Sequence, residues 1–341
     1  MGSADRATSH ALAFLEALRQ APHGFGFFAA LRRMESLFPE KPRIGESSRL
    51  RDDPVRFSQI PSLAFAASTL AAFDRGQAGR PPRLAVNFLG LFGPNGPLPL
   101  HLTEYAYDRL HHHDDPTFVR FLDIFHHRVL ALFYRAWARA QPCVNFDRPS
   151  ADRFALFVGS LFGLGSEPLR HRDAVPDLAK LYNAGPLGRQ TRSAEDIQGV
   201  IGDFFRLPVQ LIEFTGEWLS IPPELRWRLG ESPRTGALGA TVTLGARVWH
   251  CQHKFRVRLG PLGLGDYQRF LPGGQSLQRL VAWVGNLVGD ELAWDLNLVL
   301  KKDEVPPLEL GRQGRLGWTT WLIGRPLERD ADQLVLNPLA R

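Results

Sequence analysis

Residues 116–141, PTFVRFLDIFHHRVLALFYRAWARAQ, decide how the N-terminal half is read. Phe118, Phe121, Leu122, Phe125, Val129, Leu132, Phe133, Ala136 and Trp137 recur at spacings of three and four, the period of one helix face. Pro116 stands at the first turn, where a missing N–H costs nothing, and Pro142 stands past the end, where the helix cannot continue. The spacing predicts one long helix that buries a broad aromatic stripe in the core.

Upstream, residues 9–38 carry two more helical patterns, one through Leu12, Leu15 and Leu18, the other through Phe27, Phe28, Leu31, Met34 and Leu37, with Pro22 and Gly24 between them. Residues 44–68 are too broken by proline for a helix and read as short strands joined by loop. Leu84 to Phe92 alternates as a strand, and GPNGPLPLHLTEYAYDRL (93–110) turns into a helix opened by Thr103 or an earlier residue.

Downstream, a second helical unit starts near Ser150. A glycine- and proline-punctuated stretch from Gly159 to Ser193 has room for a short helix around Asp177 to Asn183. Then follow a helix from Ala194 to Phe205, strands at Val209 to Phe214 and Trp218 to Ile221, the loop Pro222 to Gly239, and an alternating strand from Arg247 to Leu259. That strand sets Trp249, Cys251 and His253 on one face. A helix from Ser276 to Val288, a strand from Leu292 to Leu300 and LGWTTWL (316–322), read as the closing strand, complete the chain. Three apart on a strand, Trp318 and Trp321 face opposite sides. The expected class is α+β. A mainly helical region, 1–147, precedes an α+β region, 148–341, with short mixed sheets and long protruding loops at 160–192 and 222–240.

Composition excludes several classes. In 341 residues no apolar run approaches the roughly 18 needed to cross a membrane, and MGSADRATSHALAFLEALRQ lacks a secretory pattern. Two distant cysteines, Cys143 and Cys251, suit a reducing cytoplasm. The balance of 41 basic to 35 acidic residues gives +6, and an excess of that kind suggests nucleic acid or another anionic surface as an alternative partner. The arginines are scattered beside acids, as in RLRDDPVR (49–56), which is the pattern of a salt-bridged surface.

No catalytic constellation stands out. His111, His112 and His113, and again His126 and His127, are adjacent instead of three or four apart, so neither group faces one metal ion; they read as exposed histidines at helix ends. Cys251 with His250 and His253 lacks an acidic orienting group. GSLFGLG (159–165) and GPLGLG (260–265) lack the lysine and hydroxyl of a phosphate loop. Asp52–Asp53 and Asp114–Asp115 each precede proline, where aspartate caps or turns the chain. Catalytic, cofactor and metal residues are therefore expected to be absent.

Five stretches carry a resemblance: FGFFAALRRMESLFPEKPRIG (25–45), LRDDPVRFSQIPSLAFAASTL (50–70), NFLGLFGPNGPLPLHLTEYAYDR (87–109), FLDIFHHRVLALFYRAWARAQP (121–142), and LGARVWHCQHKFRVRLGPL through LGWTTWL (244–322). In that order they resemble the TssG, or ImpH/VasB, family of type VI secretion baseplate subunits, related to phage tail wedges. The resemblance implies a non-enzymatic scaffold that forms a wedge with two copies of TssF and with TssE, and holds TssK through protruding loops. It also implies a cytoplasmic protein recruited to the inner face of the cytoplasmic membrane, with neither nucleic acid nor membrane insertion. The loops 160–192 and 222–240 are the expected partner-reaching elements, with Arg170, Arg172, Arg226, Trp227, Arg228, Arg234, Trp318 and Trp321 as the expected contact residues. The aromatic helix is expected to serve the core, or a bundle shared with TssF.

Overall fold

A computed structural model describes residues 2–76, 81–230, 236–308, 314–322 and 327–339. The chain divides into two compact units between Ala155 and Leu156, where the sequence reading puts the division at 147/148. The α+β class expected from the sequence holds, with short mixed sheets in both units.

The first unit opens with α1 (Gly2–Gln20) and α2 (Phe27–Leu37), close to the two patterns read between residues 9 and 38. Three short strands follow: β1 (Arg56–Gln59), β2 (Leu70–Asp74) and β3 (Arg83–Val86). They form a sheet in the order β1-β3-β2, in which β3 runs parallel to β1 and antiparallel to β2. Helices α3 (Leu100–His112), α4 (Thr117–Ala140) and α5 (Pro142–Phe146) complete the unit. Asp115 caps α4 by accepting the Thr117 N–H at 3.0 Å, the capping role expected of an aspartate before proline. The core joins Leu18 of α1, Leu31 and Met34 of α2, Phe57, Leu70 and Leu84 of the sheet, and Leu130 and Tyr134 of α4. Burying each such side chain stabilises the fold by roughly 1.5–3 kcal/mol.

Helix α6 (Arg153–Ser160) straddles the division. The second unit continues with α7 (Asp177–Tyr182), α8 (Ala184–Gly188) and α9 (Ala194–Phe205). Ser193 caps α9 by accepting the Asp196 N–H at 3.0 Å. Strands β4 (Val209–Ile212), β5 (Glu217–Ser220), β6 (Arg247–His250) and β7 (Lys254–Leu262) lead to α10 (Leu264–Arg269), α11 (Gln275–Val288), β8 (Ala293–Leu300) and β9 (Ala331–Leu336). The main sheet has the order β4-β7-β8-β9, with β7 and β8 parallel and joined through α10 and α11. Its apolar face, with Phe255, Val257 and Leu259 opposite Trp294, Leu296 and Leu298, shares a core with Ile201 of α9, Phe270, and Leu280 and Trp283 of α11. Its other face is a polar ladder in which the Arg256 guanidinium grips the Asp295 carboxylate at 2.5 and 3.0 Å.

Three expectations are corrected here. The alternating run 247–259 is two strands, broken at Cys251–His253, and β6 pairs with β5 in a separate sheet while β7 lies in the main one. Cys251 and His253 therefore share no strand face with Trp249. LGWTTWL is a turn and not a strand; the strand that closes the sheet is β9, which the sequence reading did not find. Much of the stripe of α4 read as core, from Phe121 to Leu132, faces outward, for a reason set by the polar residues of the helix, while Leu122, Phe118 and Trp137 keep their core contacts.

Candidate functional site

Of the stripe expected to be core, Leu122 is buried and Phe118 and Trp137 pack against the cores, while its other large side chains lie on the more exposed face of α4. Val119, Leu122, His126, His127, Leu130, Ala131, Tyr134, Arg135 and Ala138 are buried. Phe121 and Ile124, each 55% exposed, and Phe125, 51% exposed, face solvent with Val129 and Leu132, while Phe133 rests its ring against Phe27, Phe28 and Phe88. Strand β1 is an edge strand, so its outward N–H groups need partners. The Phe57 N–H donates to His127 Nδ1 at 3.2 Å and the Gln59 N–H to Asp123 Oδ1 at 3.3 Å. One helix turn thus replaces a missing neighbour strand. Because Nδ1 of His127 accepts, its Nε2–H donates to the buried Asp53 carboxylate, 3.0 Å away. Burial alone would raise the Asp53 pKa, but the hydrogen bonds from His127 and Ser47 outweigh it and hold the group below its ordinary value. His126 accepts the Leu91 N–H at 3.0 Å. Neither histidine is the exposed helix-end residue that the sequence suggested.

Further along α4, the buried Glu35 carboxylate accepts the Ile44 N–H at 2.9 Å, the Tyr134 hydroxyl at 3.0 Å and Arg135 at 3.2 Å. Burial, followed by the Glu35 charge, pushes the Tyr134 hydroxyl far above its ordinary range, so it stays a donor. Beside the exposed stripe lies a groove of about 750 Å³, walled by residues 59–69 and 87–97 and floored by Phe125, His126 and Val129. Gln59 shapes that wall, donating to the Phe92 carbonyl and accepting the Phe92 N–H, both at 2.9 Å.

The second surface belongs to the other unit. The β5–β6 ribbon sets Trp218 opposite Trp249, edge to face at 5.4 Å between ring centres, and both rings are exposed. A Cβ on Gly216 would run into the Trp249 ring, so a larger residue there would displace that ring. Phe214 turns the chain into the ribbon with φ 52°, a left-handed conformation that a bulky residue adopts at a cost of about 1 kcal/mol or more. Around the ribbon, Leu225, Leu229, Leu238 and Leu244 are exposed, Leu229 to 88%. The sequence reading singled out the arginines of this loop, whereas its exposed apolar surface is carried by leucines.

The expected contact residues fall into separate places. Arg226 is exposed and donates to the Ile221 carbonyl at 2.9 Å; Trp227 is half-buried, Arg228 exposed, and Arg234 lies outside the described residues. Arg170 is half-buried, its Nε donating to the Leu164 carbonyl at 3.3 Å, and Arg172 is exposed. Their segment is tied down. Asp173 accepts from Lys180 at 2.7 Å and Asn286 at 2.9 Å, and Val175 and Leu187 enter the core. Trp318 and Trp321 both pack against the core of their unit, which corrects their expected opposite facing. Tyr267 donates to the Trp318 carbonyl at 3.0 Å and rests against Trp321. Burial pushes the Tyr267 hydroxyl up to about 12.

Among the described residues no group of three or more His, Cys, Asp and Glu side chains could hold a metal ion. Cys143 and Cys251 are exposed and unpaired, and the His250 and His253 rings stack at 4.9 Å. No described helix is long and apolar enough to cross a membrane.

No curated protein matches the chain. A chain in a solved structure described as the baseplate complex from the type VI secretion system shares the fold, with TM-score 0.62 and 23% identity over 93% of this chain and 91% of that one. Another, in a cryo-electron microscopy structure of the type VI secretion system TssK-TssF-TssG baseplate subcomplex, aligns at TM-score 0.49 and 19% identity, over 60% of this chain and 84% of that one. The family model "Type VI secretion, TssG" matches residues 21–323, nearly the whole length. The chain therefore belongs to the TssG family of type VI secretion proteins.

Proposed function

We propose that the chain is a structural, non-enzymatic subunit of a type VI secretion baseplate, assembling with TssF and holding TssK. The observation that carries this reading is the exposed ribbon of Trp218 and Trp249 with its loop leucines, since aromatic anchors of this kind dominate protein interfaces. Family membership supports it, as does the naming of TssK and TssF beside TssG in one structural relative. A wedge containing two TssF copies and TssE, placed at the inner face of the cytoplasmic membrane, is the finer form of the same proposal.

Within it, the loop 222–240, with Arg226, Trp227, Arg228 and Arg234, is the TssK-reaching element, and the segment 160–192, with Arg170 and Arg172, is the second. Trp318 and Trp321 support the core beneath them. The alternative of an anionic partner gains little from the side chains, because Arg32, Arg109, Arg135 and Arg256 are engaged by acids of this chain. Replacing residues 222–240 with a short Gly-Ser turn tests the assignment by TssK capture on the purified full chain. Loss of capture with an unchanged circular dichroism spectrum is expected; full capture by the folded variant would reject it.

A further inference from the structure

His126 and His127 stand side by side on α4, both buried, and their partners hold them in opposite tautomers. His126 accepts the Leu91 N–H on Nε2 at 3.0 Å, which leaves its Nδ1–H to donate to Asp123 Oδ1, 3.3 Å away. His127 accepts the Phe57 N–H on Nδ1 and turns its Nε2–H to Asp53. Each ring thus commits its single acceptor nitrogen to a backbone N–H and its single donor to a carboxylate. An imidazolium has two donors and no acceptor. A proton added to either ring strengthens the contact with the carboxylate and sets an N–H against the backbone N–H that the ring had accepted.

The two lost bonds fall on two different segments. At His127 the loss frees the β1 edge at Phe57, leaving the Gln59 N–H on Asp123 as its hydrogen bond to α4. At His126 it frees the turn 89–92, which Gln59 then holds through Phe92. Leu89 in that turn has φ 48°, a left-handed backbone unfavourable for a bulky residue, so the turn is strained in place and relaxes on release. Gln59, Leu91 and Phe92 wall the 750 Å³ groove, and among its lining residues His126 is the one that titrates. The charged groups around the rings supply no other acceptor for these N–H groups. Asp123 also holds Arg120 at 3.1 Å, and Asp53 also accepts Ser47 at 2.7 Å, has Lys41 on its backbone carbonyl and feels Arg128 of α4. We propose that the histidine pair is an acid-sensitive latch: protonation releases the β1 edge and the turn 89–92, reshaping the groove, while the two carboxylates keep α4 in place.

Hydrogen–deuterium exchange of the full chain, read by mass spectrometry at about pH 7.5 and about pH 5.5 and corrected for the intrinsic rate, tests the latch across the ordinary titration range of histidine. Protection at the lower pH should fall about tenfold or more in peptides covering 56–60 and 89–93, and stay within about twofold in the rest of α4 and in β8. His127→Gln and His126→Gln each offer an acceptor and a donor without a titrating ring. The first should flatten the response of 56–60, and the second that of 89–93. Nuclear magnetic resonance of wild type labelled at histidine reads ring charge against amide release directly, which keeps the test alive if a variant misfolds. The same fall in wild type and variants, or no fall in wild type, would overturn the proposal. So would a fall spread evenly over the first unit, the mark of general acid unfolding, or release of the two segments while both rings remain neutral.

Discussion

His127 binds two elements at once, its Nε2 lying 3.0 Å from Asp53 Oδ2 while its Nδ1 takes the Phe57 N–H at 3.2 Å. The ring is thus the joint between α4, the edge of β1 and the chain before it. His127→Ala would leave the buried Phe57 N–H without a partner and the Asp53 carboxylate with Ser47 alone, at a cost of about 2–4 kcal/mol. A lower urea midpoint with an unchanged slope is the expected result, and a midpoint within error of wild type would remove this joint from the account.

Asp53 gives that joint a pH dependence whose sign is fixed. Its folded pKa lies below the ordinary 3.8, so the folded state favours the carboxylate. The stabilisation is complete above the unfolded value and is lost as pH falls through the folded one. Urea midpoints measured from about pH 5 downward should therefore fall more steeply for wild type than for Asp53→Asn, which starts lower but has no charge to titrate.

Glu35 is the acceptor for Ile44, Tyr134 and Arg135 together. Glu35→Ala would leave the Ile44 N–H and the Tyr134 hydroxyl unpaired and the buried Arg135 guanidinium with only Glu46, 3.7 Å away, at a cost of about 3–5 kcal/mol, enough to bring a domain of ordinary stability near unfolding. The double variant Glu35→Leu with Arg135→Met should recover only part of that loss, because it removes the unpaired guanidinium but leaves the Ile44 N–H and the Tyr134 hydroxyl without their acceptor; a double-mutant cycle reads the coupling.

Gly45 and Gly24 separate two uses of glycine. Gly45 has φ 84°, and a Cβ there would meet the Ala131 carbonyl of α4 at 2.7 Å, whereas nothing lies within 4 Å of a Cβ on Gly24. Gly45→Ala should cost about 2 kcal/mol or more and Gly24→Ala less than about 0.5 kcal/mol, compared by thermal melts of the full chain.

The helices were legible because their apolar spacing and proline boundaries are local properties, and α4 was found to within a residue at each end. Which face of α4 is buried was not legible. Apolar residues lie on more than one face of the helix, so its period fits two faces, and what chose between them was an edge strand 64 to 70 residues upstream whose N–H groups needed Asp123 and His127. An adjacent histidine pair in mid-helix, away from any cap, was the available signal for a buried polar seam. The break at Cys251–His253 carries neither glycine nor proline, and alternation on both sides disguised a change of sheet. LGWTTWL looks like a strand by composition, yet its tryptophans pack on Tyr267 and the core from a turn. In the loop 222–240 the arginines drew attention by charge, while the exposed leucines, ordinary in sequence, became notable only once nothing covered them.

The most direct test of the central claim is the mass, by size-exclusion chromatography with light scattering, of the full chain co-expressed with TssF and TssK from the same genome. The account predicts one species containing all three proteins, from which TssK is lost when residues 222–240 are replaced. Three separately eluting proteins, each folded, would contradict it.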